Sequence, residues 1–163
     1  MGLDITAYRS LSTVENPDLD GDGCPVADDQ WKCRGTQYSE RNWPGRTRGL
    51  EADAVYRFAD SLGFRAGSYV GYNQWRNQLA RLAGYESAVD CWNNHPDGPF
   101  RELIEFSDCE GVIGPVVAAK LSEDFAAFRT KAEESADAWF VGQYRLWQQA
   151  FEMAADNGAV DFH

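Results

Sequence analysis

The first residues of the chain alternate between apolar and polar side chains. Leu3, Ile5 and Ala7 fall on one face of an extended segment, with polar neighbours between them. This period of two predicts a half-buried strand within residues 3–14. The turn formers NPDLDGDG follow, and Asp22-Gly23 suits the positive φ angles of a tight hairpin. Because CPVADDQWK then provides a return strand, the pattern predicts an N-terminal hairpin.

Four later segments carry apolar residues at the spacing of an amphipathic helix. The first runs from Leu50 to Leu62, and the second runs from Asn73 as N-cap to a stop at Gly84. The third begins at Pro115, because proline suits the first helical position. The last ends at Asn157-Gly158 and carries a stripe made of Phe140, Tyr144, Trp147, Phe151 and Ala155.

These elements predict an α+β fold in which a small antiparallel sheet, the N-terminal hairpin, packs with about four helices. Residues 34–49 are predicted to form a long loop, and residues 100–106 a short helix or a strand. The tail, residues 159–163, is expected to add an edge strand. A length of 163 residues suits one domain spanning residues 1–163.

Composition narrows the class of protein further. Hydrophobic residues make up 44% of the chain and charged residues 25%, which is typical of a folded domain. No leader with a basic and an apolar region is visible, and the apolar runs are too short for a bilayer. A cytoplasmic protein with no membrane partner is expected. The four cysteines lack zinc-site spacing, so reduced thiols and no cofactor are expected.

Charge is distributed unevenly along the chain. The net charge of −11 disfavours binding to a nucleic-acid backbone, which requires clustered lysine and arginine. The segment from Lys32 to Arg81, however, holds nine basic and four acidic residues. An electropositive segment in an acidic protein can concentrate a small anion.

This basic segment is interleaved with aromatic residues, among them Arg34 and Tyr38 at its start. Guanidinium groups bind phosphate in bidentate fashion, and aromatic faces stack on bases. The candidate phosphate-binding residues are Arg46, Arg48, Arg65 and Arg76, and the candidate stacking residues are Trp43, Tyr69, Tyr72 and Trp75. Ser68, on the glycine-spaced turn between Gly67 and Gly71, completes the predicted ligand site. An alternative interpretation is that the rings pack the core and the arginines pair with nearby acids.

Three other motifs have structural interpretations that we favour. The run D-x-D-x-D-G from Asp18 begins like an EF-hand loop, but Asp29 stands where calcium needs a bidentate glutamate. Asp108 and Glu110 form an acidic pair suited to acid–base or metal chemistry, or to binding amides in a turn. His95 precedes a proline and is expected in a loop rather than in a catalytic group. No metal site is predicted.

Several longer segments resemble a group of small proteins encoded by tailed bacteriophages and prophages. The resemblance rests on MGLDITAY, FRAGSYVGYNQWR, FSDCEGVIGPVVAAKLSEDF and AADNGAVDFH, and it spans nearly the whole chain. It implies a phage or prophage gene product that acts in the bacterial cytoplasm. It assigns no activity, so no site residue follows from it.

The leading hypothesis is a non-enzymatic accessory protein that binds an anionic, nucleotide-like molecule and sequesters a host immune signal. A second hypothesis is an acidic inhibitor of a host defence protein, in which the acidic surface mimics a nucleic acid. A third is a metal-dependent hydrolase that uses Asp108 and Glu110. The sequence leaves a homo-oligomer open, because no interface can be identified in it.

Overall fold

The computed structural model describes residues 2–163, which form seven strands and six helices. The strands are β1 (Gly2–Arg9), β2 (Ser12–Thr13), β3 (Gln30–Lys32), β4 (Val55–Arg57), β5 (Asp60–Ser68), β6 (Gly111–Ile113) and β7 (Ala159–Phe162). The helices are α1 (Thr36–Asn42), α2 (Tyr69–Leu82), α3 (Ala88–Asn94), α4 (Arg101–Ile104), α5 (Pro115–Glu133) and α6 (Ala138–Ala154). The predicted α+β class is confirmed.

A four-stranded antiparallel sheet in the order β5-β1-β7-β6 forms the centre of the fold. Leu3, Ile5 and Ala7 are buried on one face of β1, as their alternation predicts. The tail strand β7 lies between β1 and β6, so the prediction of an edge strand is wrong. Interior placement brings the polar side chain of Asp161 into the middle of this sheet.

The second sheet, in the order β2-β4-β3, replaces the predicted N-terminal hairpin. Strand β1 pairs with β5 over its full length, and β3 pairs with β4 instead of returning along β1. The DLDGDG segment closes a local turn, because the Asp20 carboxylate accepts the amides of Asp22 and Cys24 at 3.0 and 2.8 Å. The prediction of a turn at this segment is therefore confirmed, but the turn does not determine which strand pairs with β1.

The helix predicted from Leu50 to Leu62 is absent, and its residues belong to β4, β5 and the turns around them. Asp53 adopts a φ of 58°, which interrupts a right-handed helix at this point. Tyr56 and Val55 are aromatic and β-branched, and both are buried in the second sheet. Pairing with distant strands therefore outweighs the four-residue spacing of apolar side chains.

The other predicted helices are confirmed as α2, α5 and α6. Helix α2 starts earlier than expected, because the hydroxyl of Ser68, not Asn73, accepts the N-terminal amide of Gly71 at 3.1 Å. Pro115 occupies the first turn of α5, and Asp137 caps α6. The predicted loop 34–49 contains the short helix α1. None of the helices within residues 2–163 is both long and apolar enough to cross a bilayer.

Helices α2, α5 and α6 cover one face of the four-stranded sheet and form the main core. Tyr72, Trp75 and Trp147 are fully buried there, with stacked rings whose centroids lie 5.5 to 6.1 Å apart. A smaller apolar cluster, which includes Leu11, Trp31 and Tyr56, joins the two sheets. The junction between the sheets leaves a cleft open to solvent.

Candidate functional site

A cleft of about 700 Å³ lies beside this junction. Strand β3 and the start of α1 line it from one side, and the start of β6 and the end of β7 line it from the other. The lining side chains that can carry charge, stack or react are the cations Lys32 and Arg34, the carboxylates Glu110 and Asp161, the imidazole of His163, the rings of Trp31 and Tyr38, and the thiol of Cys109. This volume falls within the range of sites that hold a small molecule.

Two cations converge at one side of the cleft. A Cβ atom added to Gly23 would lie 3.7 Å from Lys32 Nζ and 3.8 Å from an Arg34 guanidinium nitrogen. Lys32 donates to the carbonyl of Gly23 at 3.3 Å, and Arg34 donates to the carbonyl of Asp22 at 2.8 Å. Within residues 2–163, neither cation has a carboxylate oxygen within 4 Å. No carboxylate therefore neutralises either cation, and both can bind an anion.

The indole of Trp31 is held in a fixed orientation next to these cations. Its ring stacks on Tyr8 with centroids 4.7 Å apart and lies 6.1 Å from the ring of Tyr56. Its Nε1–H donates to Asp161 Oδ2 at 3.0 Å. Because Trp31 sits between two rings and is largely buried, it orients the carboxyl group rather than offering a free face to a ligand.

Asp161 is the one side chain of β7 that is not fully buried, and it lines the cleft. Burial raises the pKa of this carboxyl to about 6, against the stabilising effect of the Trp31 hydrogen bond on the charged form. The group is therefore mainly ionised at pH 7 and gains its proton just below that pH. The lining of the cleft therefore carries both kinds of charge, the carboxylates of Asp161 and Glu110 and the cations Lys32 and Arg34.

Helix α1 and the turn before β6 complete the wall. The Ser39 hydroxyl accepts the amide of Val112 at 2.8 Å, which joins α1 to β6. Gly111 has a φ of 138° and a Cβ there would lie 2.9 Å from Ser39 Oγ, so only glycine allows this contact. The join places the half-buried ring of Tyr38 and the thiol of Cys109 on the cleft.

The structure does not bring the sequence-predicted site residues together. Tyr72 and Trp75 are fully buried in the core, so their rings are unavailable for stacking on a ligand. Tyr69 is half-buried at the start of α2, and the hydroxyl of Ser68 caps that helix. For Tyr72, Trp75 and Ser68 the structure supports the alternative interpretation, packing and capping.

The predicted phosphate-binding arginines are mostly engaged elsewhere. Arg46 pairs with Glu105 at 3.0 Å, and Arg65 pairs with Asp4 at 3.2 Å on the exposed side of the sheet. Arg48 is exposed and, among the described residues, has no carboxylate within 4 Å. Arg76 is buried and donates to the carbonyls of Ile104 and Phe106 and to the side chain of Asn73.

Two of the predicted residues, Trp43 and Arg76, do line one small pocket of about 210 Å³ together with Trp92. The pocket shares Tyr38 and Cys109 with the cleft. The Arg76 guanidinium already lies 4.7 Å from the ring of Tyr72 and is bound to three oxygen atoms, so it serves to hold α2 against α4.

Asp108 and His95 are engaged in contacts within the fold, whereas Glu110 is exposed and lines the cleft. Asp108 accepts a hydrogen bond from Asn73 at 2.9 Å and lies 4.0 Å from Arg76. His95 pairs with Asp90 at 3.3 Å and packs on Tyr85. No group of three or more metal-binding side chains is assembled anywhere in residues 2–163.

Comparisons with protein-family models, with curated proteins and with solved structures found no match to this chain. The geometry of the cleft is therefore the basis for assigning a function.

Sequence reasoning missed Trp31, Lys32 and Asp161. Arg34 and Tyr38 belong to the basic aromatic segment that it singled out, although neither was among the predicted ligand-binding residues. Asp161 gave no signal, because an aspartate in a tail of five residues resembles a solvated terminus until β7 is placed between two strands.

Proposed function

We propose that the protein binds a small anionic, nucleotide-like molecule in the cleft between its two sheets and sequesters it without turnover. The observation that supports this most directly is the convergence of Lys32 and Arg34, two cations without carboxylate partners in an acidic chain. Acidic residues outnumber basic residues in this chain by 26 to 15. A shortage of carboxylates therefore does not explain why these two cations have no carboxylate partner.

Phosphate suits these cations better than their present partners do. Each now bonds mainly to main-chain carbonyls, which are neutral acceptors. A charge-assisted hydrogen bond to phosphate is about twice as strong as one between neutral groups. Lysine would contribute a point charge and arginine a planar fork, which together can bind two phosphate oxygens.

The rest of the cleft suits the remainder of a nucleotide. Tyr38 offers a half-buried aromatic ring at the wall, and base stacking on such a ring contributes about 1–3 kcal/mol. The cleft volume of about 700 Å³ accommodates a mononucleotide or a small cyclic dinucleotide. In a phage or prophage context, which the sequence resemblance suggests, such binding would remove a host immune signal.

The test is to identify a co-purifying ligand. Protein made in bacteria is denatured by heat, and the supernatant is analysed by mass spectrometry. In parallel, mono-, di- and cyclic nucleotides are screened for thermal stabilisation, where a ligand at 100 times its Kd adds about 2.7 kcal/mol. A released or stabilising nucleotide that is recovered unchanged supports sequestration. Recovery of a hydrolysed product contradicts it, and silence in both assays contradicts nucleotide binding.

One observation favours a second candidate, an inhibitor that binds a host protein. The loop between β2 and β3 exposes Leu19 and Val26 among Asp18, Asp20 and Asp22. Exposed aliphatic side chains surrounded by acids can dock on a basic protein surface. Pull-down from host lysate at low and high salt tests this candidate, which predicts a partner that is lost when Leu19 and Val26 are replaced by serine.

A further inference from the structure

Asp161 gives the cleft a feature that phosphate binding does not use. Its Oδ2 accepts the indole N–H of Trp31 at 3.0 Å, and no lysine, arginine or histidine nitrogen lies within 4 Å of its carboxylate among residues 2–163. His163, the nearest imidazole in sequence, instead contacts the Thr6 hydroxyl at 3.0 Å. The carboxylate is therefore oriented but not neutralised.

A carboxylate in this state retains acceptor capacity. Its two oxygens offer about four lone-pair positions, and Trp31 occupies one. Two parallel N–H donors satisfy a carboxylate in bidentate fashion, and hydrogen bonds to a charged acceptor are stronger than those between neutral groups. Asp161 is thus complementary to a planar group that presents two adjacent N–H donors.

Among the nucleobases, only guanine presents that pattern on its pairing edge. Guanine offers the N1–H and the N2 amino group side by side. Adenine and cytosine each offer one donor beside an acceptor, and uracil offers one donor between two acceptors. An ionised carboxylate would leave a lone pair facing a lone pair in all three of those cases, which disfavours them.

We propose that Asp161, held in place by Trp31, makes the cleft selective for guanine nucleotides, with the phosphates at Lys32 and Arg34. This inference rests on the proposed function and specifies its ligand. Trp31 acts as a positioning residue, because Tyr8 and Tyr56 flank its ring and its N–H is committed to Asp161. Tyr38 is the wall ring that would stack on the base.

The proposal predicts a dependence on pH. Guanine recognition needs the ionised carboxylate, whose pKa of about 6 means that affinity falls as the pH drops below 6. The titratable groups around Asp161 are Tyr8 on β1, Cys33 after β3 and His163 after β7. Burial raises the pKa of both Tyr8 and Cys33, so neither titrates in this range. His163 and Glu110, which both line the cleft, are the groups that must be controlled for.

The experiment measures Kd by calorimetry for GMP, IMP, AMP and XMP at pH 7.5 and pH 5.0. The proteins compared are the wild type, Asp161→Asn and two controls, His163→Gln for the imidazole and Glu110→Gln for the second cleft carboxylate. IMP differs from GMP only by lacking the N2 amino group. AMP corrects for protonation of the phosphate, whose second pKa is about 6.

For the wild type at pH 7.5 we expect GMP to bind at least tenfold more tightly than IMP or AMP, in line with about 1–3 kcal/mol for one bidentate pair. Lowering the pH to 5.0 should weaken GMP about tenfold more than AMP, because about nine-tenths of Asp161 is then protonated. The Asp161→Asn variant should lose the GMP preference, favour XMP and lose the extra pH dependence. His163→Gln and Glu110→Gln should keep the GMP preference and a fall in GMP affinity at pH 5.0 that exceeds the fall for AMP.

Equal affinity for the four nucleotides, or an unchanged GMP preference in Asp161→Asn, would overturn base selection while leaving phosphate binding intact. Absence of binding by every nucleotide would overturn the proposed function together with this inference. Circular dichroism of Asp161→Asn confirms that the variant is folded before its affinities are compared.

Discussion

Two groups of cations and aromatic rings in this protein differ in whether their partners are already present. Around α2, the rings of Tyr72 and Trp75 are fully buried and the guanidinium of Arg76 is bound to three oxygen atoms. At the cleft, Lys32 and Arg34 have no carboxylate within 4 Å among the described residues. The first group is structural, and the second is available to a ligand.

The residue types in a segment therefore indicate which ligand chemistry is available to it. Whether those side chains can bind a ligand depends on how many of their hydrogen bonds and ion pairs are already made within the protein. Arginine next to tryptophan occurs in both groups. Only the environment distinguishes a cation that holds two helices together from one that can exchange a carbonyl for a phosphate.

The largest effect is expected where the α2 group forms the core. Trp75→Ala removes a fully buried ring that stacks on Tyr72 and Trp147, so we expect a loss of about 3–5 kcal/mol in the free energy of unfolding. Urea denaturation measures it. The matched control is Trp139→Ala, whose ring is 45% exposed and whose removal should cost about 0.5 kcal/mol or less. Equal effects would contradict the structural assignment of this group.

Arg76→Met should lower the free energy of unfolding by about 3 kcal/mol, because it leaves the carbonyls of Ile104 and Phe106 without their donor. Arg65→Met is the matched control, since Arg65 is exposed and paired with Asp4, and a surface pair contributes about 1 kcal/mol at most. Both are measured by urea denaturation. If Arg76→Met were as stable as the wild type but failed to bind nucleotide, Arg76 would be a ligand-binding residue and its assignment to the structural group would be wrong.

Asp161→Asn is expected to stabilise the protein at neutral pH. The folded pKa of about 6 is above the unfolded value of about 4, so between these values the folded state binds more protons and its stability falls as the pH rises. Above pH 6 the charged Asp161 therefore costs roughly 3 kcal/mol, which asparagine avoids while still accepting from Trp31. The gain should disappear at pH 4.

Thermal and urea unfolding at pH 4.0 and 7.5 measure this difference. Asp97→Asn is the control, because Asp97 is exposed and its removal changes the net charge equally. A variant that is less stable than the wild type at pH 7.5 would show that the carboxylate is a structural group rather than a costly recognition group.

Gly23→Ala should have the smallest effect on stability, about 1 kcal/mol, because Gly23 has a φ of 71° in the turn that holds both cleft cations. The new Cβ would lie at ordinary van der Waals distance from Lys32 Nζ and the Arg34 guanidinium, so ligand affinity should fall only as far as the strained turn moves the carbonyls that hold these two cations. Gly84→Ala, with a φ of 97° in a turn after α2 and open space around it, is the control for backbone strain alone. Equal ligand affinity in Gly23→Ala and Gly84→Ala would contradict a role of the Gly23 turn in ligand binding.

Much of the fold could be predicted from local chemistry. Alternation in β1, Pro115 at the start of α5 and the aromatic stripe of α6 each reflect contacts within one element. The partners of β1 could not be predicted, because their paired residues are about 50 to 66 positions away in β5 and more than 150 positions away in β7. The prediction of a helix over residues 50–62 is wrong for the same reason. Pairing of β4 with β2 and β3 decides the conformation of this segment.

The candidate site could likewise be predicted only in part. The electropositive segment was identifiable from charge, and it contains Lys32, Arg34 and Tyr38. Which of its nine basic residues remain free depends on acids such as Glu105 and Asp4, which reach them only through tertiary structure. Asp161 enters the site because β7 lies beside β6, a fact of topology that no local pattern encodes.

The most direct test of the account removes the same charge from two places. Lys32→Ala/Arg34→Ala takes two cations from the cleft, and Arg41→Ala/Arg48→Ala takes two exposed cations that also lack carboxylate partners but lie outside it. Both variants lower the net charge by two, so any general electrostatic effect is matched. The measurement is calorimetric Kd for the nucleotide identified by mass spectrometry. We predict a loss of at least 100-fold, about 2.7 kcal/mol, for the first variant and less than threefold for the second. Equal losses, or a larger loss for the Arg41/Arg48 variant, would contradict the assignment of ligand binding to the cleft.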